Sequence, residues 1–267
     1  MKYRARLSLL FCALAGVMAD TALHAASPPE IGPSVAAFVI AEATAGDLNG
    51  DGDTLDAVVH VLDPTTGAAM NLGLAVPLVC DFAFQPVLCS PVPPVVTGTL
   101  AAFLVSEKAQ GEMDLNGDDD TFDDVVFVYD AAHARVRSTE LAVARAARRS
   151  VGLLPFPMAP IVIGDVVVFL AGEGEQGHVD LNDDADQIDA VVFVIAPKSR
   201  RIINTGLAAP RVGFFTSPVL VASGDGTFIS VLVGEYEQDQ DLNRDGDEDD
   251  LVTMLVRAQN GKARLAE

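Results

Sequence analysis

The chain has 267 residues, half of them hydrophobic, with 38 acidic side chains against 17 basic ones and a formal charge of −21. The apolar half excludes a disordered acidic tail, and the charge argues against sequence-independent binding to nucleic acid or to an anionic membrane. Tryptophan is absent and tyrosine occurs only three times, so stacking platforms for sugars and bases are scarce.

Residues 1–26 read as a secretory signal peptide. Lys2, Arg4 and Arg6 make a positive start, Leu7 to Ala19 a short apolar stretch, and Ala22, Ala25 and Ala26 supply small residues before Ser27. The apolar stretch is shorter than the ~20 residues of a membrane-spanning helix, and no later segment approaches that length. The expectation is a secreted or periplasmic protein with no membrane span. Cys12 falls inside the signal, which leaves Cys80 and Cys89. In an oxidising compartment, two cysteines this close in a loop most simply form a local disulfide; two buried free thiols are the alternative.

From residue 29 onward the chain repeats itself four times. Asp47-Leu48-Asn49, Asp114-Leu115-Asn116, Asp180-Leu181-Asn182 and Asp241-Leu242-Asn243 recur at spacings of 67, 66 and 61 residues. Ahead of each lies an apolar run ending in glutamate, as in Ala37 to Glu42, Ala102 to Glu107, Val168 to Glu173 and Ser230 to Glu235. Behind each lies a β-branched or aromatic run, at Ala57–Asp63, Asp124–Asp130, Ala190–Ile195 and Leu251–Val256. Such short runs bounded by turn residues predict strands. A turn and a returning strand follow, and a Pro-flanked strand precedes each unit, at Pro29, Pro94, Pro160 and Pro218. The pattern predicts about four strands per repeat in a meander, with repeats at about 29–92, 93–158, 159–216 and 217–267.

Four-stranded repeat units mark β-propeller blades. This strand, charged loop, strand, turn, strand pattern resembles the blades of TolB-type and other WD-repeat-like propellers. The resemblance implies an all-β, β-propeller-like fold of four tandem blade-type repeats, each with an acidic loop between its second and third strands. A β-solenoid or a two-sheet sandwich is the competing architecture. The four blades either close a small ring or form part of a larger ring completed by a second copy.

The acidic loops align without gaps. They read Asp47, Asn49, Asp51, Asp53 and Asp56, then Asp114, Asn116, Asp118, Asp120 and Asp123. The third reads Asp180, Asn182, Asp184, Asp186 and Asp189, and the fourth Asp241, Asn243, Asp245, Asp247 and Asp250. These are loop positions 1, 3, 5, 7 and 10. Calcium takes six to eight hard oxygen ligands, which a tightly coiled loop supplies at alternate residues; magnesium keeps more of its water, and zinc prefers Cys or His. Of the 38 acidic residues, 29 fall in windows 42–56, 107–124, 173–189 and 235–250. A solubility device would scatter them, since carboxylates ~5 Å apart repel by roughly 1 kcal/mol per pair even in water.

The loops resemble the calcium loops of integrin-type FG-GAP propellers, dockerins and EF-hands. That resemblance implies side-chain ligands at positions 1, 3 and 5 and a backbone carbonyl at position 7, for up to four Ca2+ ions. The match departs from those families at the closing ligand: EF-hand position 12 holds a valine in every repeat, and FG-GAP loops close at position 9. Glu42, Glu107, Glu173 and Glu235 are a second tier of candidate ligands. Glycine stands at position 6 only as Gly52 and Gly246; Asp119 and Ala185 replace it elsewhere. Alanine is the poorer fit to a left-handed backbone, so the third site is expected to be the weakest.

No nucleophile elbow, zinc-protease helix, P-loop or dinucleotide fingerprint occurs. His60 alternates within a strand, His133 sits at a turn, His178 lies in the third acidic loop, and Gly224-Asp225-Gly226 reads as a hairpin turn. Basic residues gather at Arg135, Arg137, Arg145, Arg148 and Arg149, and again at Lys198, Arg200 and Arg201, as a solvated edge or a partner-binding face. The reading is therefore an exported calcium-binding repeat protein serving as a structural or protein-interaction module for a protein or envelope partner, with a homo-oligomer if the ring is incomplete. A propeller hydrolase or lyase with structural calcium is the alternative.

Overall fold

A computed structural model describes residues 30–31, 35–63, 66–81, 88–146, 156–196, 200–210, 219–223 and 227–266. The signal segment, Gly224-Asp225-Gly226, Arg148, Arg149 and Lys198 lie outside them. Apart from single helical turns at Glu42–Ala45, Gly174–Gln176 and Glu235–Gln238, the regular structure among the described residues is β. There, twenty strands form four four-stranded antiparallel sheets and two two-stranded ribbons.

Each sheet is a meander in chain order. The first holds β1 (Glu30–Ile31), β2 (Ala36–Ala41), β3 (Ala57–Leu62) and β4 (Ala69–Ala75). The second holds β7 (Val95–Thr97), β8 (Leu100–Ser106), β9 (Asp124–Asp130) and β10 (Arg135–Ala142). The third holds β13 (Ile161–Ile163), β14 (Val166–Gly172), β15 (Ala190–Ile195) and β16 (Ile202–Ala208), and the fourth β17 (Val219–Ala222), β18 (Phe228–Gly234), β19 (Leu251–Arg257) and β20 (Ala263–Leu265). The Pro-flanked strand is thus the first of every sheet, and every acidic loop joins the second strand to the third. The ribbons are β5 (Leu78–Asp81) with β6 (Leu88–Pro91), and β11 (Arg145–Ala146) with β12 (Phe156–Pro157). The repeat pattern does not announce them, because among the described residues they follow only the first and second sheets; they share with the acidic loops the extra length of those repeats.

The sheets stack face to face in sequence. One apolar cluster joins the first sheet to the second through Val39, Val59, Phe103 and Phe127. A second joins the second to the third through Leu104, Val126, Phe169 and Phe193, and a third joins the third to the fourth through Leu170, Val192, Val231 and Met254. Strands buried on both faces read as continuous apolar runs, and β9 and β14 are buried throughout. β18 instead alternates half-buried and buried residues, as one packed face requires. The first strands gather on one side, β7 lying against both β1 and β13. Successive sheets fanning about their first strands make the architecture propeller-like.

Cross-strand aromatic pairs sit at the same register in three sheets: Phe38 with His60 at 5.6 Å between ring centroids, Phe103 with Phe127 at 6.3 Å, and Phe169 with Phe193 at 5.6 Å. Such pairs contribute about 1 kcal/mol beyond their burial. His60 is thereby a core residue; burial lowers its pKa, and its Nδ1 lies 3.1 Å from the Val58 carbonyl oxygen. Cys80 and Cys89 are direct cross-strand partners in the β5–β6 ribbon and form a disulfide. Among the described residues no helix is long and apolar enough to cross a membrane.

Candidate metal centres in the acidic loops

Each loop begins with a buried glutamate. Glu42, Glu107, Glu173 and Glu235 follow the second strands of their sheets and are fully buried. One carboxylate oxygen accepts a backbone N–H early in the loop: Leu48 on Glu42, Leu115 on Glu107, Leu181 on Glu173 and Leu242 on Glu235, each at 2.6 Å. The other oxygen accepts the N–H of position 10: Asp56 at 3.3 Å, Asp123 at 2.9 Å, Asp189 at 2.9 Å and Asp250 at 3.3 Å. The glutamate therefore clamps the loop's two ends together. Hydrogen bonds to a charged acceptor are about twice as strong as neutral ones, and this arrangement also answers the cost of burying the carboxylate.

The position 1 aspartate coils the front of the loop. Its Oδ1 accepts the N–H of position 4, from Gly50 and Gly117 at 2.6 Å, Asp183 at 2.7 Å and Arg244 at 2.5 Å. Its Oδ2 accepts the N–H of position 6, from Gly52 and Asp119 at 3.2 Å, Ala185 at 3.0 Å and Gly246 at 3.1 Å. Such a coil demands left-handed backbone. Position 4 has φ of 83, 83, 65 and 65° in the four repeats, and position 6 has 100, 73, 78 and 107°. Glycine marks each requirement in two of the four repeats, Gly50 and Gly117 at position 4 and Gly52 and Gly246 at position 6; only the second was read from the sequence. The third loop meets both without a glycine, through Asp183 and Ala185. Positions 5 and 7 complete the coil, Asp51, Asp118, Asp184 and Asp245 accepting the N–H of position 7, and Asp53, Asp120, Asp186 and Asp247 that of position 9.

Carboxylates converge at the back of the loop. Single oxygens of Glu42, Asp51, Asp53 and Asp56 lie within 4.8 Å of one another, as do those of Glu107, Asp120 and Asp123. Glu173, Asp186 and Asp189 form the third such group, and Glu235, Asp247 and Asp250 the fourth. The second-tier glutamates and positions 7 and 10 thus meet, position 5 joins them in the first loop, and position 1 stands outside these groups, occupied with loop amides. Position 10 is where the crowding is most costly. Burial, then the charges of Asp51 and Asp53, push Asp56 up to about 7. Burial, then Asp120, push Asp123 up to about 8 against the pull of Arg145. Asp250 is raised by its contact with Asp245.

The position 3 asparagines add neutral oxygens. Asn49 and Asn243 each give Oδ1 to the N–H of position 5, at 3.3 and 2.9 Å. The Oδ1 atoms of Asn116 and Asn182 are buried and accept no hydrogen bond. Hard oxygens that face one another with too few donors suit a cation such as Ca2+; the donor set holds no nitrogen or sulfur.

Basic residues serve as ties between elements. Arg145 lies 3.4 Å from Asp124 and 4.0 Å from Asp123. Arg200 lies 2.9 Å from Asp130, an oxygen that His133 also approaches at 2.7 Å, and Arg137 donates to the Arg200 carbonyl. His178 takes φ of 60° in the turn before the third loop. At the loop tips, position 9 is apolar and solvent-facing in three repeats, with Leu55 76%, Phe122 64% and Ile188 61% exposed. A shallow depression over the fourth loop is lined by Tyr236, Asp241 and Gly246 to Asp249, residues of the repeated loop and not of a unique constellation.

No protein family matches the chain, and no curated protein is significantly similar to it. Among solved structures, TolB from Acinetobacter baumannii is similar with a TM-score of 0.36 and 10% identity over 90% of this chain. The β-propeller domain of the trilobed protease from Pyrococcus furiosus gives 0.28 and 8% over 92% of this chain and 72% of its own. The acylaminoacyl peptidase of Pyrococcus horikoshii gives 0.26 and 9% over 90% of this chain and 39% of its own. The chain spans 43% of the length of the TolB structure.

Proposed function

We propose that this is an exported calcium-binding propeller module of four blades, 27–267, in which up to four Ca2+ ions order the acidic loops. The observation that carries the reading is the fourfold recurrence of a buried glutamate and two aspartates with oxygens within 4.8 Å, in loops where Asn116 and Asn182 also hold a buried Oδ1 without a donor. Bound calcium would supply the charge neutralisation that these oxygens lack. The residues would be held ready by their own loop hydrogen bonds. Weak extracellular modules of this chemistry work at dissociation constants of ~10⁻⁴–10⁻³ M, which suits an exported protein. A disulfide and the signal-like first 26 residues support export.

The ordered loops would present Leu55, Phe122 and Ile188, solvent-facing at equivalent positions, to a protein or envelope partner. Equilibrium dialysis of the chelator-stripped mature protein, with metal analysis, tests the calcium reading: three or four Ca2+ retained per chain support it, and none retained overturns it.

A further inference from the structure

The loops are hydrogen-bonded across the sheet junctions, always in the same direction. Asn49 of the first loop donates through Nδ2 to the Ala109 carbonyl at 2.8 Å, and Asn116 of the second to Glu175 at 2.9 Å, with Asp123 of its own loop at 3.4 Å. Asn182 of the third donates chiefly to Asp184 of its own loop at 2.6 Å and reaches Glu237 at 3.4 Å. Each acceptor in the next repeat lies two residues after its clamp glutamate. Three residues after that glutamate stands a glutamine that reaches back. Gln110 accepts the Ala75 N–H at 2.8 Å and donates to Gly73. Gln176 accepts the Ala142 N–H at 3.0 Å and donates to Glu140, and Gln238 accepts the Ala208 N–H at 2.8 Å. These partners sit where the fourth strand slips register, so the bulge frees backbone groups that the glutamine then satisfies.

The first and fourth repeats differ from the other two. The first repeat has Ala45 where the glutamine would stand, and a Cβ on the neighbouring Gly46 would meet open space. At the equivalent Gly111 and Gly177, a Cβ would come within 3.3 Å of Asp51 and 2.9 Å of Asp118, residues of the preceding loop. In the fourth repeat Asn243 donates to Asp245 and Asp250 of its own loop, at 3.0 and 2.9 Å.

We propose that these asparagines and glutamines are positioning residues that couple ion binding in loops one, two and three to the docking of the following sheet. One amide group would serve both sides: Oδ1 toward the ion, Nδ2 toward the next repeat. An ion that fixes the side chain of Asn116 thereby fixes the carbonyl of Glu175, and docking of the third sheet pre-orders the second site. The inference rests on the calcium reading above.

Asn116→Asp separates the two, because aspartate keeps an oxygen for the ion and loses the donor. Amide hydrogen exchange of the mature protein is measured with calcium and with chelator. In the wild type, calcium slows exchange in both turns 109–111 and 174–177. In Asn116→Asp the calcium-dependent slowing at 174–177, which lies in another repeat, falls by about fivefold, the weight of one hydrogen bond; the turn at 109–111, held by Asn49, keeps its slowing. Equal slowing at 174–177 in variant and wild type overturns the coupling. A wild type that retains no calcium overturns the calcium reading itself. Gln176→Leu tests the junction from the other side without adding charge: calorimetric calcium affinity of the second site falls severalfold if the sites are coupled, and is unchanged if they are not.

Discussion

Glu107 accepts the backbone N–H of Asp123 at 2.9 Å through one carboxylate oxygen and that of Leu115 at 2.6 Å through the other. The two amides are eight residues apart in sequence, so this one buried side chain determines how wide the loop can open. Its role is mechanical before any ion arrives. Glu107→Gln, which turns an NH2 group toward one of these donors, is expected to lower unfolding free energy by about 2 kcal/mol. The loss should persist in chelator, as urea denaturation with and without EDTA would report. A glutamate acting only through an ion would give no loss in chelator.

The raised aspartates predict how the ion-free protein responds to pH. Asp123 is pushed up to about 8 and Asp56 up to about 7, both by burial first and neighbouring carboxylates next. The unfolded chain releases these protons near the ordinary carboxylate value, so between about pH 4 and 8 the native state binds more protons than the unfolded one. Stability in chelator is therefore expected to fall as pH rises through this window. Melting in EDTA at pH 5 and pH 8 checks it, with the higher melting temperature at pH 5. Calcium would replace the protons, making its binding tighter at pH 8 and accompanied by proton release.

Backbone strain is concentrated in the third loop. Ala185 holds φ of 78° where the first and fourth loops have glycine. Ala185→Gly is expected to raise unfolding free energy by about 1 kcal/mol, and Gly52→Ala to lower it by a similar amount, Gly52 having open space around its Cα so that only the backbone opposes the change. Paired chemical denaturation of the two variants would show opposite signs.

The disulfide closes a short ribbon between the first and second sheets. Its loop is small, and chain-entropy arguments give about 2–3 kcal/mol. Cys80→Ser with Cys89→Ser should cost that much, while calcium stoichiometry is kept, since neither cysteine belongs to any of the four carboxylate groups.

Much of this was legible in the residues. Strand order, the acidic loop between second and third strands and the Cys80–Cys89 pair all followed from periodicity and spacing. The clamp did not, because nothing local says that Glu107 will meet the amide of Asp123 across the mouth of a loop; a glutamate among aspartates reads first as one more ligand. The ribbons β5–β6 and β11–β12 were hidden for the opposite reason, as they break the repeat that revealed everything else. A signal for the junctions was present and unread: glutamine at Gln110, Gln176 and Gln238, three residues after the clamp, and alanine at Ala45 in the first repeat.

The central claim is that the acidic loops are calcium sites holding the fold together. Occupancy at about ten times the dissociation constant would add about 1.4 kcal/mol per site, or on the order of 5–6 kcal/mol for four, comparable to the net stability of a domain. The direct measurement is calorimetric titration of the chelator-stripped mature protein with calcium, with a melting curve at each end. The account predicts saturable binding of three or four ions and a melting temperature higher by roughly 10–20 °C. Flat heats and superimposable melting curves would contradict it.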